Sequence, residues 1–419
     1  MVSNPPIANL AIGNIRGIGY DLLGYALFTI AGWSHLLAML LTLALASLTL
    51  LLVIMSTIFL YKFVTFPSLP QQTRRLAKEP LVSIVVPVRN QVETVESCIR
   101  SLIELDYANK QILVVDGGST DGTTDVLERY SEDIQILDEG KLPDGWVGKN
   151  WACHLGFRRS VGELLLFTDG DTVHGPNSLR STVNYLLNNG LDMLSLYPRL
   201  VMKGFWEKLM LPTIAHSIFL FTGGTDVNRD DREKWIGNGQ YMLFPRETYK
   251  RVGGHEAVRN HVDEDYRLAE RVKKAGLRLR VLSAPNALQT RMYSNLPDLW
   301  EGWVKNSFAV MGDNPAKAVS GILSIFVFLL LPYLLFLVGI FSLPSVGWNP
   351  LFLWGGLMSL ILYGRAAGLY LGLKADLRYL PLFPISVVLY LTILLESAAR
   401  GIMGMEVTWK GRRYRTDNV

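Results

Sequence analysis

The chain has 419 residues, of which 49% are hydrophobic and only 19% are charged, and its mean hydropathy is +0.23. This composition argues against a wholly soluble protein and indicates that part of the chain lies in lipid. The 37 glycines and 19 prolines form no repeat and there are only two cysteines, which excludes the collagen-like and disulfide-stapled classes. We expect Cys98 and Cys153 to be reduced thiols in a cytosolic part.

The net charge of +4 is unevenly distributed. Residues 61–317 contain 32 basic and 32 acidic residues, whereas residues 319–419 contain eight basic and four acidic ones. A neutral middle argues against a nucleic-acid partner, which needs a basic face to neutralise phosphates. Cations that flank apolar segments suit a membrane surface instead.

The first apolar segment, Leu36 to Leu60, has no charged residue. It is long enough as a helix to cross a hydrocarbon core of about 30 Å, so it predicts a transmembrane helix. A cleaved signal peptide would need a basic start, a shorter apolar run and a small-residue cleavage site, which this segment lacks. The preceding segment, Tyr20 to Trp33, is shorter and is expected to be interfacial.

Three further apolar segments follow, at Val319 to Phe341, Leu351 to Leu373 and Leu380 to Ala399. The basic residues after the first helix, Arg74, Arg75 and Lys78, predict that the middle of the chain is cytosolic by the positive-inside rule. Three C-terminal crossings would then leave the basic tail outside, against the same rule. Either one segment is re-entrant or interfacial, or the tail is an exception. The predicted organisation is a membrane segment (1–62), a cytosolic domain (63–318), a second membrane segment (319–403) and a basic tail (404–419).

The middle of the chain has the pattern of an α/β domain. Runs rich in β-branched residues predict strands at Leu81 to Val88, Gln111 to Asp116 and Glu163 to Asp171. Amphipathic stretches predict helices at Glu93 to Leu105 and Thr123 to Tyr130. We therefore expect a mostly parallel twisted sheet with helices on both faces, whose ligands bind at the carboxyl ends of the strands.

Two carboxylates, Asp169 and Asp171, flank Gly170 at the end of the third predicted strand. They would repel each other unless a cation lies there, and such oxygen ligands suit Mg²⁺ or Mn²⁺ completed by water and substrate phosphates. A solvated turn is the alternative, because D-x-D strings are common by chance. The position of TDGD, directly after LLLF and after the upstream VVDGGSTDG, favours the metal.

Five motifs occur in order between Leu81 and Phe308: VSIVVPVRN, VVDGGSTDGT, TDGD, GNGQYMLFPRETYKRVGG and HVDEDYRLAERVKKAG. With these motifs the chain resembles the family 2 glycosyltransferases. The segments GWVGKNWAC and RMYSNLPDLWEGWVKNSF, with the WKGRRY tail, resemble the membrane-bound carotenoid-acid and hopene-associated glycosyltransferases more closely, and ceramide glucosyltransferases are more distant. The resemblance implies a GT-A nucleotide-sugar domain flanked by transmembrane helices.

The resemblance also implies which residues bind the donor. Pro87, Asn90 and Asp116 would lie around the nucleotide, with Asp116 at the base or ribose. Asp169 would lie near the ribose and sugar and contribute to the metal site. Asp171 would hold Mg²⁺ or Mn²⁺ on the diphosphate.

For the other donor-binding candidates, the match to the family motifs is weaker. Lys149 would contact the diphosphate or sugar, although a lysine among tryptophans also suits a snorkelling surface residue. Gln289 and Arg291 would support the diphosphate, but they depart from the Q-x-x-R-W of processive synthases, so transfer of a single sugar is expected. Gly117 stands where many relatives have a second acid, so one nucleotide contact is expected to be missing.

Asp263, Glu264 and Asp265 open a predicted helix, where the helix macrodipole alone would favour acidic residues. The resemblance implies that one of them is the catalytic base, with Asp265 the leading candidate and Glu264 the second. The base would take the proton of the acceptor hydroxyl as its oxygen attacks the anomeric carbon. A single displacement with inversion follows, in which the metal stabilises the departing diphosphate.

Two residues of the GNGQ motif, Asn238 and Gln240, lie where the family has its acceptor-side loop, and both are acceptor-binding candidates.

Two further features do not point to a specific function. His216 is expected to be a structural histidine, because the histidines lack metal-binding spacing. The mixed-sign segment Asp226 to Glu233 is expected to be a mobile, solvated loop.

Two apolar features could concern a lipid acceptor. Phe205 to Phe221 is interrupted by Pro212 and suits an interfacial helix or the wall of a lipid groove, with a core helix as the alternative. Trp300, Trp303 and Phe308 suit an aromatic belt at the membrane surface, again with core packing as the alternative.

The sequence therefore predicts an inverting, metal-dependent glycosyltransferase of the cell membrane. It would move one hexose from a nucleotide sugar, with a UDP-sugar leading, to a lipid-soluble acceptor at the cytosolic face. The favoured acceptor is a carotenoid or another isoprenoid. A polyprenyl phosphate, hopanoid or sphingolipid-like acceptor is the alternative within the same chemistry. The alternative from another class is a catalytically inactive nucleotide-sugar-binding membrane scaffold.

Overall fold

The structure is a computed structural model that describes residues 8–72, 78–311, 314–409 and 412–415. Side chains are described from residue 36 onward, except at 309–310 and beyond 406. Arg74 and Arg75, on which the predicted orientation partly rests, lie outside the described residues. The chain divides into two compact units, one of Met1–Met55 with Pro332–Leu362 and one of Ser56–Leu331 with Tyr363–Val419.

The larger unit contains the strands. In chain order they are β1 (Val82–Val88), β2 (Lys110–Asp116), β3 (Gln135–Asp138), β4 (Leu164–Phe167), β5 (Thr172–His174), β6 (Met193–Tyr197), β7 (Arg199–Leu200), β8 (Met242–Pro245), β9 (Leu279–Ser283), β10 (Leu288–Thr290), β11 (Glu406–Trp409) and β12 (Arg412–Arg415). Seven of them form the main sheet in the order β3-β2-β1-β4-β8-β6-β9. All neighbours in this sheet are parallel except β8, which is antiparallel to β4 and β6.

The α-helices, given in chain order over both units, are α1 (Ala8–Val64), α2 (Val95–Ile103), α3 (Thr123–Glu128), α4 (Gly148–Arg159), α5 (Ser178–Asn188), α6 (Phe205–Phe221), α7 (Arg246–Arg251), α8 (Glu264–Lys274), α9 (Leu296–Val310), α10 (Pro315–Ile325), α11 (Leu331–Val346), α12 (Pro350–Gly372) and α13 (Phe383–Ile402). The two helices predicted in the middle of the chain are α2 and α3. The strand predicted to end at Asp171 ends at Phe167, because Asp169 and Asp171 lie in the connection that leads into β5.

Two hydrophobic cores cover the two faces of the main sheet. Successive residues of β1 alternate between them, because strand side chains point to opposite faces: Ile84 and Val86 lie in one core and Val85 in the other. The first core includes α2 and α5, and the second includes α4 and α8. Cys98 and Cys153 lie in different cores as buried free thiols. The predicted α/β sheet with helices on both faces is confirmed.

Within the described part of the chain, four helical segments that flank the sheet domain are long and apolar enough to cross a membrane: Leu36–Val64, Pro315–Val346, Pro350–Gly372 and Leu377–Ile402. Three of the four predicted apolar segments fall within them, and Leu351 to Leu373 ends one residue beyond the third. In the smaller unit, α11 and α12 approach closely, since a Cβ atom on Gly339 would lie 2.4 Å from the backbone nitrogen of Phe352. Small residues at such crossings are typical of membrane helices.

The apolar segment that follows β7 is the helix α6, and most of its side chains are buried. His216 on α6 is fully buried and lies 4.5 Å from the ring of Phe59, as expected for a structural histidine. Trp303 and Phe308 on α9 are 7% and 6% exposed. These two side chains are therefore packed inside the protein, which is the alternative to an aromatic belt at the membrane surface.

The segment Asp226 to Glu233 is fixed in place at its start, contrary to the expectation of a mobile loop. Asp226 accepts a hydrogen bond from the Lys62 ammonium at 2.6 Å, at the end of α1. Asn228 donates to the carbonyl of Val281 at 2.8 Å and accepts from its N–H at 2.6 Å. These side chains make long-range bonds that composition alone does not indicate.

Candidate functional site

A cavity of about 840 Å³ opens at the carboxyl ends of β1, β2 and β4. One part of its wall is charged and another is apolar. The charged part includes Arg89, Lys149, Asp169, Asp171, Glu264, Asp265 and Lys305. The apolar part includes Phe63, Leu211, Ile214, Ala215, Ile218, Phe219, Gly368 and Leu371, from the end of α1, from α6 and from the end of α12.

Lys149 bridges two carboxylates in the charged part. Its Nζ lies 2.6 Å from Oδ1 of Asp169 and 2.8 Å from Oε1 of Glu264. The neighbouring Asn150 fixes this position, because its buried amide donates to the carbonyls of Val258 at 2.7 Å and His261 at 2.8 Å. The start of α4 is thereby held against the loop that leads into α8. Lys149 lies in the cavity, not on an outer surface.

Asp265 lies in the first turn of α8 and its carboxylate faces the cavity. Its Oδ2 accepts from the N–H of Gly239 at 2.8 Å, and its Oδ1 accepts from the N–H of Tyr266 at 2.7 Å. Burial and the neighbouring Glu264 carboxylate raise the pKa of Asp265 to about 7, against the lowering effect of Lys149. Glu264 is ion-paired with Lys149 and its side chain is 4% exposed. Asp265 is therefore the better placed of the two base candidates.

The GNGQ loop passes through the centre of this cluster. A Cβ atom on Gly239 would lie 2.7 Å from the Nζ of Lys149 and 3.4 Å from the Asp265 carboxylate, so the loop backbone needs a glycine to come this close. Asn238 donates to the carbonyl of Leu196 at 3.0 Å and to the Gln240 side chain at 3.2 Å. Both amides line the cavity, and their role at an acceptor stays a prediction.

Part of the charge that offsets Asp169 comes from the protein itself. Asp169 is paired with Lys149, which also pairs with Glu264 and so offsets only part of the negative charge of the cluster. Asp171 accepts from the hydroxyl of Thr290 at 3.3 Å. The described residues contain no group of three or more His, Cys, Asp or Glu side chains that could hold a metal ion. Asp171 fits Mg²⁺ or Mn²⁺ only as a shared site completed by substrate phosphates and water.

Of the three residues predicted to lie around the nucleotide, one lines the cavity and two are hydrogen-bonded to the turn beside it. Pro87 lines the cavity. Asp116 is buried and accepts from the hydroxyl of Ser119 at 2.7 Å and from that of Thr124 at 2.6 Å. Asn90 has a φ of +48° and its N–H donates to Ser119 at 3.0 Å. Asp116 and Asn90 thus organise the Gly-rich turn beside the cavity, and their contact with a nucleotide stays a prediction.

Gln289 and Arg291 are not among the residues that line the cavity. Arg291 donates to the buried carboxylate of Glu207 at 2.9 Å, and Gln289 accepts from Arg199 at 3.2 Å. Both side chains are thus engaged in bonds within the protein. Their predicted contact with the diphosphate stays a prediction.

Lys305 and Glu139 are among the charged residues of the cavity that the sequence analysis missed. Lys305 comes from α9, and burial lowers its pKa to about 8, although Glu264 opposes the shift. In the sequence, the only indication of Lys305 was that it is a lone lysine in an aromatic-rich helix. Glu139 follows β3 and is 4% exposed. It was missed because the short strand β3 was not predicted.

Residues 83–253 match the family model described as glycosyl transferase family 2. Among curated proteins, the chain is similar to 4,4'-diaponeurosporenoate glycosyltransferase of Staphylococcus aureus (strain USA300), with 25% identity over 251 residues. That match covers 58% of this chain and 64% of the relative, so it spans less than two thirds of the relative's length.

Two solved structures are also similar. One is the mannosyltransferase PcManGT from Pyrobaculum calidifontis in complex with GDP-Man and Mn²⁺, with 19% identity, coverage of 87% of this chain and 97% of that chain, and a TM-score of 0.49. The other is S. aureus TarS 1–349 in complex with UDP, with 15% identity, coverage of 80% and 95%, and a TM-score of 0.38.

Proposed function

We propose that the chain transfers one hexose from a nucleoside diphosphate sugar to a lipid-soluble acceptor, because residues 83–253 match the glycosyl transferase family 2 model. The observation that carries the proposal is the composition of the cavity. Carboxylates and lysines line one part, and apolar side chains of α6 and of the ends of α1 and α12 line another. A polar donor and an apolar acceptor would each find a matching wall in the same space.

In this proposal Asp265 is the general base. Its carboxylate takes the proton of the acceptor hydroxyl while the acceptor oxygen forms a bond to the anomeric carbon of the sugar. The bond from that carbon to the phosphate oxygen breaks, and the nucleoside diphosphate leaves with the electron pair. Attack and departure on opposite faces invert the anomeric centre. A pKa of about 7 suits a base that works near neutral pH.

The neighbouring charged residues would orient this reaction. Lys149 keeps Glu264 and Asp169 in fixed positions, so that Asp265 is the carboxylate directed at the acceptor. Asp171 would hold a divalent cation together with the phosphates of the donor. Such a cation supplies positive charge to the departing diphosphate.

The identities of donor and acceptor rest on resemblance. A UDP-sugar is the favoured donor, as in the sequence analysis. A carotenoid-type or other isoprenoid acceptor leads because the curated relative is named for 4,4'-diaponeurosporenoate. The apolar wall of the cavity supports an acceptor of this kind.

We also propose that the catalytic domain faces the cytosol. Lys62 lies near the end of the first candidate span, Lys317 lies near the start of the second, and Lys374 follows the third, with Arg378 at the start of the fourth. Basic residues at these positions favour the cytosolic side of a membrane.

The test is transfer from radiolabelled UDP- and GDP-sugars into the extracted lipids of membranes that contain the protein, with and without EDTA. The wild type should label an organic-phase product only with metal present. With a long-chain isoprenoid alcohol as acceptor, Asp265→Asn should lower the rate by about 100-fold or more, because it removes the base. Asp231→Asn, an acid 62% exposed in the loop after α6, is the matched control and should not change the rate.

Three results would contradict the proposal. Label only in an insoluble polymer would overturn single-sugar transfer to a lipid. Full activity of Asp265→Asn would remove Asp265 from the role of base. The absence of product from every donor and acceptor would favour the inactive binding scaffold.

A further inference from the structure

The last candidate span, Leu377–Ile402, differs from the other three in its packing. In its most apolar stretch of 18 residues, 50% of the residues are buried inside the protein. In the other three spans, in chain order, the buried share of the corresponding stretch is 17%, 28% and 33%. We propose that its main helix, α13, does not cross the membrane. It lies in the plane of the membrane surface, on the side of the catalytic domain, and binds one leaflet of the bilayer through an exposed apolar stripe.

The first half of α13 packs on α6. The hydroxyl of Ser386 is hydrogen-bonded to that of Thr213, and both side chains are fully buried. Phe383 at the start of α13 lies near the ring of His216, 6.3 Å between centroids. The α6 residues Leu211 and Ile214, within one turn of Thr213, line the catalytic cavity. This half of α13 is therefore at the level of the cavity.

The second half of α13 packs on α9. The N–H of Phe308 donates to the hydroxyl of Ser397 at 2.9 Å, and this hydroxyl donates to the carbonyl of Val304 at 2.6 Å. The adjacent residues Trp303 and Lys305 also line the cavity. Both halves of α13 thus follow helices that form the wall of the site, so neither half is one bilayer thickness away from it.

Polar groups support the same placement. Glu396 accepts from the indole N–H of Trp300 at 2.8 Å and from Arg400 at 2.9 Å. In a spanning α13, Glu396 would lie about 9 Å inside the hydrocarbon, at 1.5 Å per residue from the helix end. Charged groups at such depth are costly, whereas at the interface they reach water.

The face of α13 turned away from the protein is apolar. Ile385, Val388, Leu395 and Ile402 are 53%, 46%, 55% and 52% exposed, and their spacing of three and seven residues places them on one stripe. An in-plane helix buries such a stripe at the boundary between lipid head groups and acyl chains. The exposed side chain of Arg378, just before the helix, suits anionic head groups.

This placement removes the conflict between the basic tail and the positive-inside rule. The strand β11, which follows α13, packs against α9, so the chain is still beside the catalytic domain after α13. Three candidate spans remain, and the tail stays on the side where basic residues are favoured. The proposal does not depend on the reaction that the cavity catalyses.

Depth measurement tests the in-plane placement. Nitroxide labels on Ile385→Cys, Leu395→Cys and Ile402→Cys sample the two ends and the middle of α13, and Leu395 lies about 10 Å along the helix from the nearer end label. In lipid bilayers we expect their depths to agree within about 5 Å, because an in-plane helix keeps its stripe at one level. The matched control is the set Leu353→Cys, Leu360→Cys and Leu371→Cys on α12, all exposed, in which a spanning helix places the middle label deepest. A comparable profile along α13 would overturn the proposal.

Sidedness gives a second measurement that does not need labels on α13. Glu406 follows α13, and Glu247 is an exposed residue of the catalytic domain. In sealed vesicles, a membrane-impermeant maleimide should label Glu406→Cys and Glu247→Cys from the same side. The native thiols are buried and should give little background. Labelling of Glu406→Cys only from the opposite side would show that α13 crosses the membrane.

Discussion

The substitution Lys149→Met would remove the ammonium group that bridges Asp169 and Glu264 at 2.6 and 2.8 Å. Methionine keeps most of the apolar stem, so the change removes charge more than volume. The Glu264 side chain is 4% exposed and would remain as a buried carboxylate without this partner.

The loss of stability follows from the burial of the pair. Breaking a buried ion pair costs about 3–5 kcal/mol, whereas an exposed pair contributes at most about 1 kcal/mol. Lys149 and Asp169 are 33% and 25% exposed, while Glu264 is buried. We therefore expect the free energy of unfolding to fall by about 2–3 kcal/mol.

Activity should change in its pH dependence. The Lys149 ammonium lowers the pKa of Asp265, which is about 7 with Lys149 present. Without the ammonium this pKa rises, so less of the base is ionised at pH 7 and the acid limb of kcat/KM moves to higher pH. We expect a loss of about fivefold or more at pH 7 that is partly recovered above pH 8.

The assay is kcat/KM of the full-length protein in lipid or detergent between pH 5.5 and 9, together with its unfolding midpoint. Lys149→Arg keeps the charge and should retain the wild-type acid limb. Lys250→Met, which removes an exposed ion pair with Glu247, is the control for loss of a lysine. An acid limb that stays in place in Lys149→Met would refute the electrostatic link between Lys149 and Asp265.

The other predictions concern the metal, the acceptor wall and a second lysine. Asp171→Ala should abolish transfer and divalent-dependent donor binding, measured by calorimetry, and an unchanged metal requirement would rule out this ligand. Gly368→Leu should raise the KM for a lipid acceptor about tenfold by filling the apolar wall, whereas Gly364→Leu, whose Cβ has open space, should not. Lys305→Met should lower kcat/KM at pH 7 about tenfold and remove the decline expected above pH 8, where Lys305 loses its proton. The exposed Lys317→Met is its control, and equal losses in both variants would contradict a role in the cavity.

Three strands of the main sheet, β1, β2 and β4, could be predicted because their signals are local. The apolar run Leu164 to Phe167 and the acids after it are adjacent in sequence, so the position of Asp169 beside the strand end follows directly, although the predicted strand extended to Asp171. The strands β6, β8 and β9 were not predicted. The membrane segments are local in the same way, since length and hydropathy define each one. Short β3 was missed because four residues give too little periodicity.

The charged cluster could not be predicted in detail because its bonds join distant parts of the chain. Lys149 lies 115 residues before Glu264, and only the anchoring of α4 by Asn150 shows that they meet. The ion pair of Arg291 with Glu207 could not be predicted for the same reason, because the two residues are 84 positions apart in sequence. For α13, the sequence defined the apolar segment, but its packing on α6 and α9 depends on the folded domain.

The bond between Lys62 and Asp226 has a consequence for the choice of acceptor. It fastens the end of the first membrane helix to a loop whose Asn228 is bonded in turn to the main sheet at Val281. Under the proposed function, this bond would help to keep the Asp265 carboxylate at a constant height above the bilayer. A lipid acceptor that remains embedded would then have to extend its reactive group by that height, so the bond would select acceptors by length as well as by chemistry.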